Sequence, residues 1–175
     1  MFFGASFSDC AISPIREALS RLSVTGLVDF KDNKGFFVAS INRTELFDIA
    51  ETYVDIESLA LRKAMEKGDE AWEMQIAAEL HRLSKVETGK KVDFSTWAEC
   101  NANFHHALVS GCKSNSLMRC RNMLFQQHDR YMRLSYFYSK ESDIKINHSE
   151  HSALAKTVIA RQEDKAISAL REHQI

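Results

Sequence analysis

The chain has 175 residues, of which 45% are hydrophobic and 27% charged, and its formal net charge at pH 7 is −1. This length allows one medium-sized domain with a small appendage, and the near-neutral charge neither supports nor excludes a nucleic-acid partner. No apolar run reaches the roughly 20 residues of a membrane span, and the N-terminus lacks the basic start of a signal peptide. One proline and six glycines favour long helices over a turn-rich β architecture.

The cysteines show no C-x-x-C pairing of the kind that indicates a zinc site or a redox motif. They are Cys10, Cys100, Cys112 and Cys120. Reduced thiols that pack as small core residues are the simpler interpretation, and they indicate a cytoplasmic protein.

The first elements in the chain are a helix and a β-hairpin. Ser13 is a favoured N-cap and Pro14 suits the first helical position, so a helix is expected to begin there. Gly26 would end it in the left-handed conformation. Two short apolar stretches then flank D-N-K-G, a pattern typical of a tight hairpin. A helix followed directly by a hairpin is the second half of a winged helix-turn-helix, and it defines a first domain at residues 1–41.

The rest of the chain, residues 42–175, has helical periodicity and forms the second domain. Apolar spacing predicts helices at about 42–65, 72–83, 93–109, 115–138, 148–161 and 163–175. Gly111 is expected to stop the helix at 93–109, and K-E-S-D-I-K-I-N at 140–147 is expected to be a polar loop. The predicted fold is therefore mainly α: a partial winged helix-turn-helix (one helix plus a hairpin) followed by a six- to seven-helix antiparallel bundle.

One group of side chains has the composition of a metal site. Asn101 and His105 are four residues apart, so they share one face of a helix. His151 and His173 each lie in a later helical segment. Three imidazoles and an amide oxygen that converge inside a bundle would bind a divalent metal and leave positions open for a ligand. Neutral imidazoles favour Zn²⁺ or Ni²⁺ over Mg²⁺ or Ca²⁺.

The run S-P-I-R-E-A-L-S-R-L-x-x-x-G-L-V, followed by N-K-G-F-F-V, resembles the winged helix of GntR-type bacterial transcription regulators. The helical remainder resembles the effector domain of their FadR branch, the FCD domain. That family builds a metal site from D-x-x-x-H on one helix, E-H at the start of a later helix and a final histidine. His105, His151 and His173 match this arrangement, and Asn101 stands where the family has aspartate.

Several positions depart from the family pattern. The helix, the strand and the first helix-turn-helix helix with which members usually begin are missing, so an N-terminally truncated member is expected. Ile12 replaces an arginine that contacts DNA in the family. The family's R-x-x-L-E retains only Glu57, because Tyr53 occupies the arginine position.

The resemblance implies DNA binding by the first domain. Arg16 would lie at the exposed start of the recognition helix, Ser13 could donate to a phosphate, and Lys34-Gly35 would form the tip of the wing. The expected basic patch is absent, because four basic residues at positions 1–42 are balanced by four acidic ones. These are Arg16, Arg21, Lys31 and Lys34 against Asp9, Glu17, Asp29 and Asp32.

The resemblance implies a ligand-responsive transcription regulator, a homodimer with no enzymatic activity, whose helical domain binds a divalent metal and a small carboxylate such as a dicarboxylate. Tyr53, Arg130 and Arg133 are candidates for a second carboxylate, since arginine forks match carboxylates. His128 and His148 could line the edge of the site, although a packing role is simpler. The alternative is a remnant that binds metal or ligand, or dimerises, without reading DNA. A hydrolase is disfavoured because no H-E-x-x-H motif is present.

Overall fold

The computed structural model of the chain describes residues 12–138 and 141–174. This part of the chain contains seven helices and one two-stranded antiparallel sheet. The chain divides into two compact units, Met1–Asn42 and Arg43–Ile175. The predicted fold class, one helix and a hairpin followed by a helical bundle, is confirmed. Among the predicted free thiols, Cys100, Cys112 and Cys120 are free, and Cys10 lies outside the described residues.

The first unit contains α1 (Ile12–Val24), β1 (Val28–Lys31) and β2 (Gly35–Val38). Gly26 follows α1 with φ of 75°, which confirms the predicted left-handed stop. Ser13 was expected to cap this helix, but Ile12 already has helical geometry, so Ser13 lies inside the first turn. An N-cap needs a non-helical backbone, which excludes Ser13 from that role.

The hairpin pairs Val28 with Val38 and Lys31 with Gly35. Its tip takes left-handed backbone conformations, with φ of 60° at Asn33 and 86° at Gly35. Asparagine and glycine are the residues that tolerate this region at least cost, so D-N-K-G specifies the turn locally.

The second unit is a bundle of six helices within the described part of the chain. They are α2 (Arg43–Lys67), α3 (Glu70–Glu87), α4 (Phe94–Ser110), α5 (Asn115–Tyr138), α6 (Glu141–Ile159) and α7 (Glu163–Gln174). Asp69 and Asp93 cap α3 and α4 by accepting from the backbone N–H groups of Trp72 and Thr96. Gly111 is the C-cap of α4, as predicted.

The polar loop predicted at 140–147 is wrong over residues 141–147, because these form the first turns of α6. The segment is polar but contains no glycine or proline, and glutamate and lysine are good helix formers. The polar composition therefore did not mark a break between helices.

The core of the bundle is apolar and continuous through α2, α3, α4, α6 and α7. Trp72 lies at one end of it and donates its indole N–H to the carbonyl oxygen of Ala107 at 2.9 Å. Gly68 packs against this ring so closely that a Cβ atom there would lie 2.1 Å from a ring carbon. A side chain at position 68 would therefore displace Trp72 from its contact with α4. In the described part of the chain, no helix has the length and apolarity needed to cross a bilayer.

Candidate metal centre

Three histidines from three helices converge in the bundle. His105 lies on α4, His151 on α6 and His173 on α7, and each offers a ring nitrogen within 4.8 Å of the other two. The rings of His151 and His173 have centroids 4.5 Å apart, and those of His105 and His173 stack at 5.2 Å. Nitrogen ligands bind Zn²⁺ at about 2.0–2.1 Å, so a small inward movement of these rings would close them around one ion.

His105 and His151 are buried, and the His173 side chain is 9% exposed. His105 is 4% exposed and His151 is fully buried. The Phe104 ring packs edge-on against both of these imidazoles, at centroid distances of 5.5 and 5.2 Å. Asn101 lies one helical turn before His105, as the spacing predicted.

Two buried polar atoms of the predicted metal ligands lack a hydrogen-bond partner among the described residues. They are Nε2 of His151 and Oδ1 of Asn101. An unsatisfied buried acceptor costs about 1–3 kcal/mol, so both atoms would be stabilised by a cation that accepts their lone pairs. The donor set of three imidazoles and one amide oxygen fits a Zn²⁺ or Ni²⁺ ion.

Carboxylates orient two of the imidazoles. Nδ1 of His151 lies 2.8 Å from the buried carboxylate of Glu87, and Nδ1 of His173 lies 2.7 Å from Glu150. A carboxylate accepts and cannot donate, so these contacts place the proton on Nδ1 and the lone pair on Nε2. This carboxylate–histidine arrangement is typical of metal-binding histidines, whose ring orientation it fixes.

Burial favours the neutral, metal-binding form of His105 and His173. Desolvation, followed by the neighbouring His173 and His151, lowers the pKa of His105 well below its ordinary value of 6.5. Desolvation also lowers the pKa of His173, with a smaller contribution from His151, although its bond to Glu150 opposes the shift. Both rings are therefore neutral near pH 7 and have a lone pair to offer.

A cavity of about 70 Å³ adjoins the histidines. A single water needs about 10–15 Å³ on this measure, so the cavity could hold several waters or a small organic acid. Its polar wall includes Asn101, His105, His128, Arg133, His173 and Gln174. Its apolar wall includes Phe94, Trp97 and Phe125. The mixture of apolar rings with a few convergent polar groups is typical of a small-molecule site.

Comparison with known proteins bears directly on this arrangement. The FCD domain family matches residues 48–174. The chain belongs to this family. Its relatives include the HTH-type transcriptional regulator BphR of Paraburkholderia xenovorans strain LB400, 33% identical over 163 residues that cover 91% of this chain and 66% of BphR. The HTH-type transcriptional repressor GlaR of Escherichia coli K12 is 31% identical, over 93% of this chain and 76% of GlaR.

Solved structures show the same fold. The McbR/YncC protein of E. coli superposes with a TM-score of 0.83 at 18% identity, over 94% of this chain and 76% of that one. A GntR family member from Pseudomonas syringae pv. tomato DC3000 gives 0.64 at 24% identity, over 92% and 65%. The resemblance to GntR-type regulators of the FadR branch is confirmed, and the homologues named above are transcriptional regulators, not enzymes. It spans about two thirds of the length of BphR.

The three residues predicted to bind an effector occupy different places in the FCD domain. Tyr53 and Arg133 line the cavity. The Arg133 guanidinium bonds to Asp129 at 2.6 Å and is 49% exposed. Arg130 is not among the described residues that line the cavity, and its guanidinium lies 5.8 Å from the centre of the Tyr131 ring. Two of the three residues therefore line the cavity, and their binding of an effector stays a prediction.

Sequence reasoning missed a buried ionic network beside the cavity. Glu57 and Arg121, 0% and 2% exposed, form an ion pair at 2.6 Å. The Tyr53 hydroxyl donates to Glu57 at 2.6 Å and accepts from Arg121 at 2.9 Å. The second Glu57 oxygen accepts from the Gln174 amide at 3.0 Å. The family pattern pointed to Glu57, but no local signal on α5 marked Arg121 as its partner.

His128 was also undervalued. It is 7% exposed, lines the cavity and stacks on Tyr53 with the ring centroids 5.0 Å apart. Its place on the buried face of α5, one turn from Phe125 and Leu124, is the signal that would have found it.

The residues predicted to contact DNA lie in the first unit. Ser13 and Arg16 are exposed in the first turns of α1, and Lys34 is exposed at the tip of the hairpin beside Gly35. Arg21, one turn further along α1, is paired with Glu17 at 2.5 Å.

Proposed function

We propose that this FCD-domain chain is a ligand-responsive transcription regulator whose helical unit binds a divalent metal through Asn101, His105, His151 and His173. One observation carries the proposal. The three imidazoles converge in a buried site where the lone pairs of His151 Nε2 and Asn101 Oδ1 have no partner in the described residues. Imidazole nitrogens favour Zn²⁺ or Ni²⁺ over Mg²⁺ or Ca²⁺.

A small carboxylate would bind beside the metal. The bound ion would supply a Lewis acid with open coordination positions, and the residues of the chain would hold and orient the acid. Phe94, Trp97 and Phe125 offer an apolar surface for its body, and Arg133 offers a guanidinium for a second carboxylate. The Arg133–Asp129 pair is partly solvated and therefore weak, so an effector carboxylate could replace Asp129.

Gln174 adds a hydrogen-bond acceptor to the cavity. Its amide nitrogen must face Glu57, because that carboxylate can only accept. The amide oxygen then points elsewhere, is buried and lacks a partner among the described residues. A hydroxyl group on the effector would satisfy it, which favours hydroxy acids over unsubstituted acids.

The relatives BphR and GlaR are transcriptional regulators, so we infer that the chain acts in the cytoplasm on operator DNA as a homodimer. Ser13, Arg16, Lys34 and Gly35 would make the DNA contacts of each copy. The second candidate function, a metal- or ligand-binding module without DNA binding, is favoured by the balanced charge of residues 1–42.

Metal content is the direct test of the site. Protein purified without a nickel column and dialysed against Zn²⁺ should retain about one ion per chain by elemental analysis. His105→Ala should lose the ion, because the site would keep only two imidazoles. His106→Ala is the matched control, since His106 is exposed on the same helix and should leave metal content unchanged. Wild-type protein with no bound metal would contradict the proposal.

A further inference from the structure

Among the described side chains, one buried carboxylate has no arginine or lysine to balance its charge. In the described residues the buried acidic side chains are Glu57 and Glu87, and the one buried guanidinium or ammonium group belongs to Arg121. Arg121 pairs with Glu57 at 2.6 Å. Glu87, with 0% exposure, therefore lacks an arginine or lysine partner in that part of the chain.

The position of Glu87 makes this charge more costly. It is the last residue of α3, where the helix dipole is negative and disfavours a carboxylate. Its partners are an indole and two imidazoles: Trp97 Nε1 at 3.1 Å, His151 Nδ1 at 2.8 Å and His148 Nδ1 at 3.3 Å. None of these groups carries the permanent charge of an arginine or a lysine, and hydrogen bonds alone only partly replace the water that a buried carboxylate has lost.

The contact with His151 links this charge to the candidate metal centre. Because the carboxylate accepts from Nδ1, the lone pair of His151 lies on Nε2, the buried atom without a partner in the described residues. A divalent ion on Nε2 would polarise the ring and place positive charge one imidazole away from Glu87. The ion would then offset the buried negative charge of Glu87 and accept the lone pair of His151 Nε2.

We propose that Glu87 is the positioning residue of the metal site: it fixes the tautomer of His151 and supplies the buried negative charge that strengthens metal binding. This rests on the proposed metal-binding function. Glu150 holds His173 in a similar way but is 45% exposed, so water can take over its bond. Glu87 is fully buried and has no such substitute.

The test measures Zn²⁺ affinity by competition with a chelator. Glu87→Gln keeps an acceptor for Nδ1 but removes the charge, and Glu87→Ala removes both. Loss of an outer-shell partner typically costs about 10–100-fold in affinity, so we expect about 10-fold for the glutamine variant and about 100-fold for the alanine variant. Glu150→Gln should cost less than Glu87→Gln.

Thermal unfolding separates this role from a structural one. Without metal, Glu87→Gln should melt close to the wild type, since it removes a poorly compensated buried charge. With Zn²⁺, its gain in melting temperature should be smaller than that of the wild type. A variant that is destabilised without metal but binds Zn²⁺ as tightly as wild type would overturn the proposal.

A measurement on wild-type protein needs no variant to fold. Long-range ¹H–¹⁵N correlation spectra of the metal-free chain should show His151 with its proton on Nδ1. A proton on Nε2 would overturn the role of Glu87 even if the chain binds zinc. Failure of the wild type to bind zinc, with His151 still protonated on Nδ1, would instead overturn the metal proposal and the metal-strengthening role with it.

Discussion

The Arg121–Glu57 pair shows what a single substitution can do inside this bundle. Both side chains are almost completely buried, and Tyr53 and Gln174 complete the hydrogen bonding of the glutamate. Removing one member of a buried pair leaves the other as an uncompensated charge, which costs far more than the pair itself contributes.

We therefore expect Arg121→Met to lower the free energy of unfolding by about 3–5 kcal/mol, as measured by urea denaturation. Combining it with Glu57→Gln should recover most of that loss, because no buried charge then remains. The matched control is Arg62→Met, whose partner Glu163 is half exposed, and which should cost only about 0–1 kcal/mol. A loss below about 1 kcal/mol for Arg121→Met would show that water reaches Glu57.

At the scale of elements, two of the arginines on α5, Arg130 and Arg133, differ in their access to the cavity. Arg133 lines it and Arg130 does not. Residues three apart are neighbours on a helix surface, but their side chains do not point in the same direction. These two positions offer a controlled comparison for the effector.

Thermal-shift measurements with succinate and butyrate should separate them. Succinate has a second carboxylate for Arg133, so Arg133→Met should reduce the melting-temperature gain from succinate and leave that from butyrate unchanged. Arg130→Met should resemble the wild type with both acids. Equal responses of the two variants to succinate would show that Arg133 does not bind the second carboxylate.

Element boundaries also show how far the sequence could be interpreted. The helices at 93–109 and 115–138 were predicted to within about one residue, because capping residues or apolar spacing mark their ends. Residues 141–147 were mistaken for a loop, since a polar stretch without glycine or proline can form a helix as well as a loop. The histidine set came from the family pattern, whereas Arg121 and Glu87 were not found, because their partners lie 64 residues away in the chain.

At the scale of the whole molecule, the proposed regulator depends on DNA binding by the first unit. Duplexes selected from a random pool, then tested in gel shifts at a stated salt concentration, should yield a preferred sequence. Arg16→Ala should weaken that binding by about 10-fold or more, as expected for loss of a base-contacting arginine. Lys34→Ala should lower the slope of log affinity against log salt concentration by about the amount expected for one phosphate contact.

Arg21→Ala is the control for the helix, because Arg21 lies in the last turn of α1, away from the start of the helix where the DNA contacts are predicted. It should bind nearly as well as wild type. Selection of no preferred sequence would favour the second candidate function, in which the chain binds metal or ligand without reading DNA.

The placement of the two tryptophans gives the bundle an optical reporter of its own. Trp97 lines the cavity and donates to Glu87, whereas Trp72 is packed against Gly68 and Ala107. In a Trp72→Phe chain all indole fluorescence would come from Trp97. Its emission wavelength and quenching would then follow the entry of an ion or an acid without any attached dye.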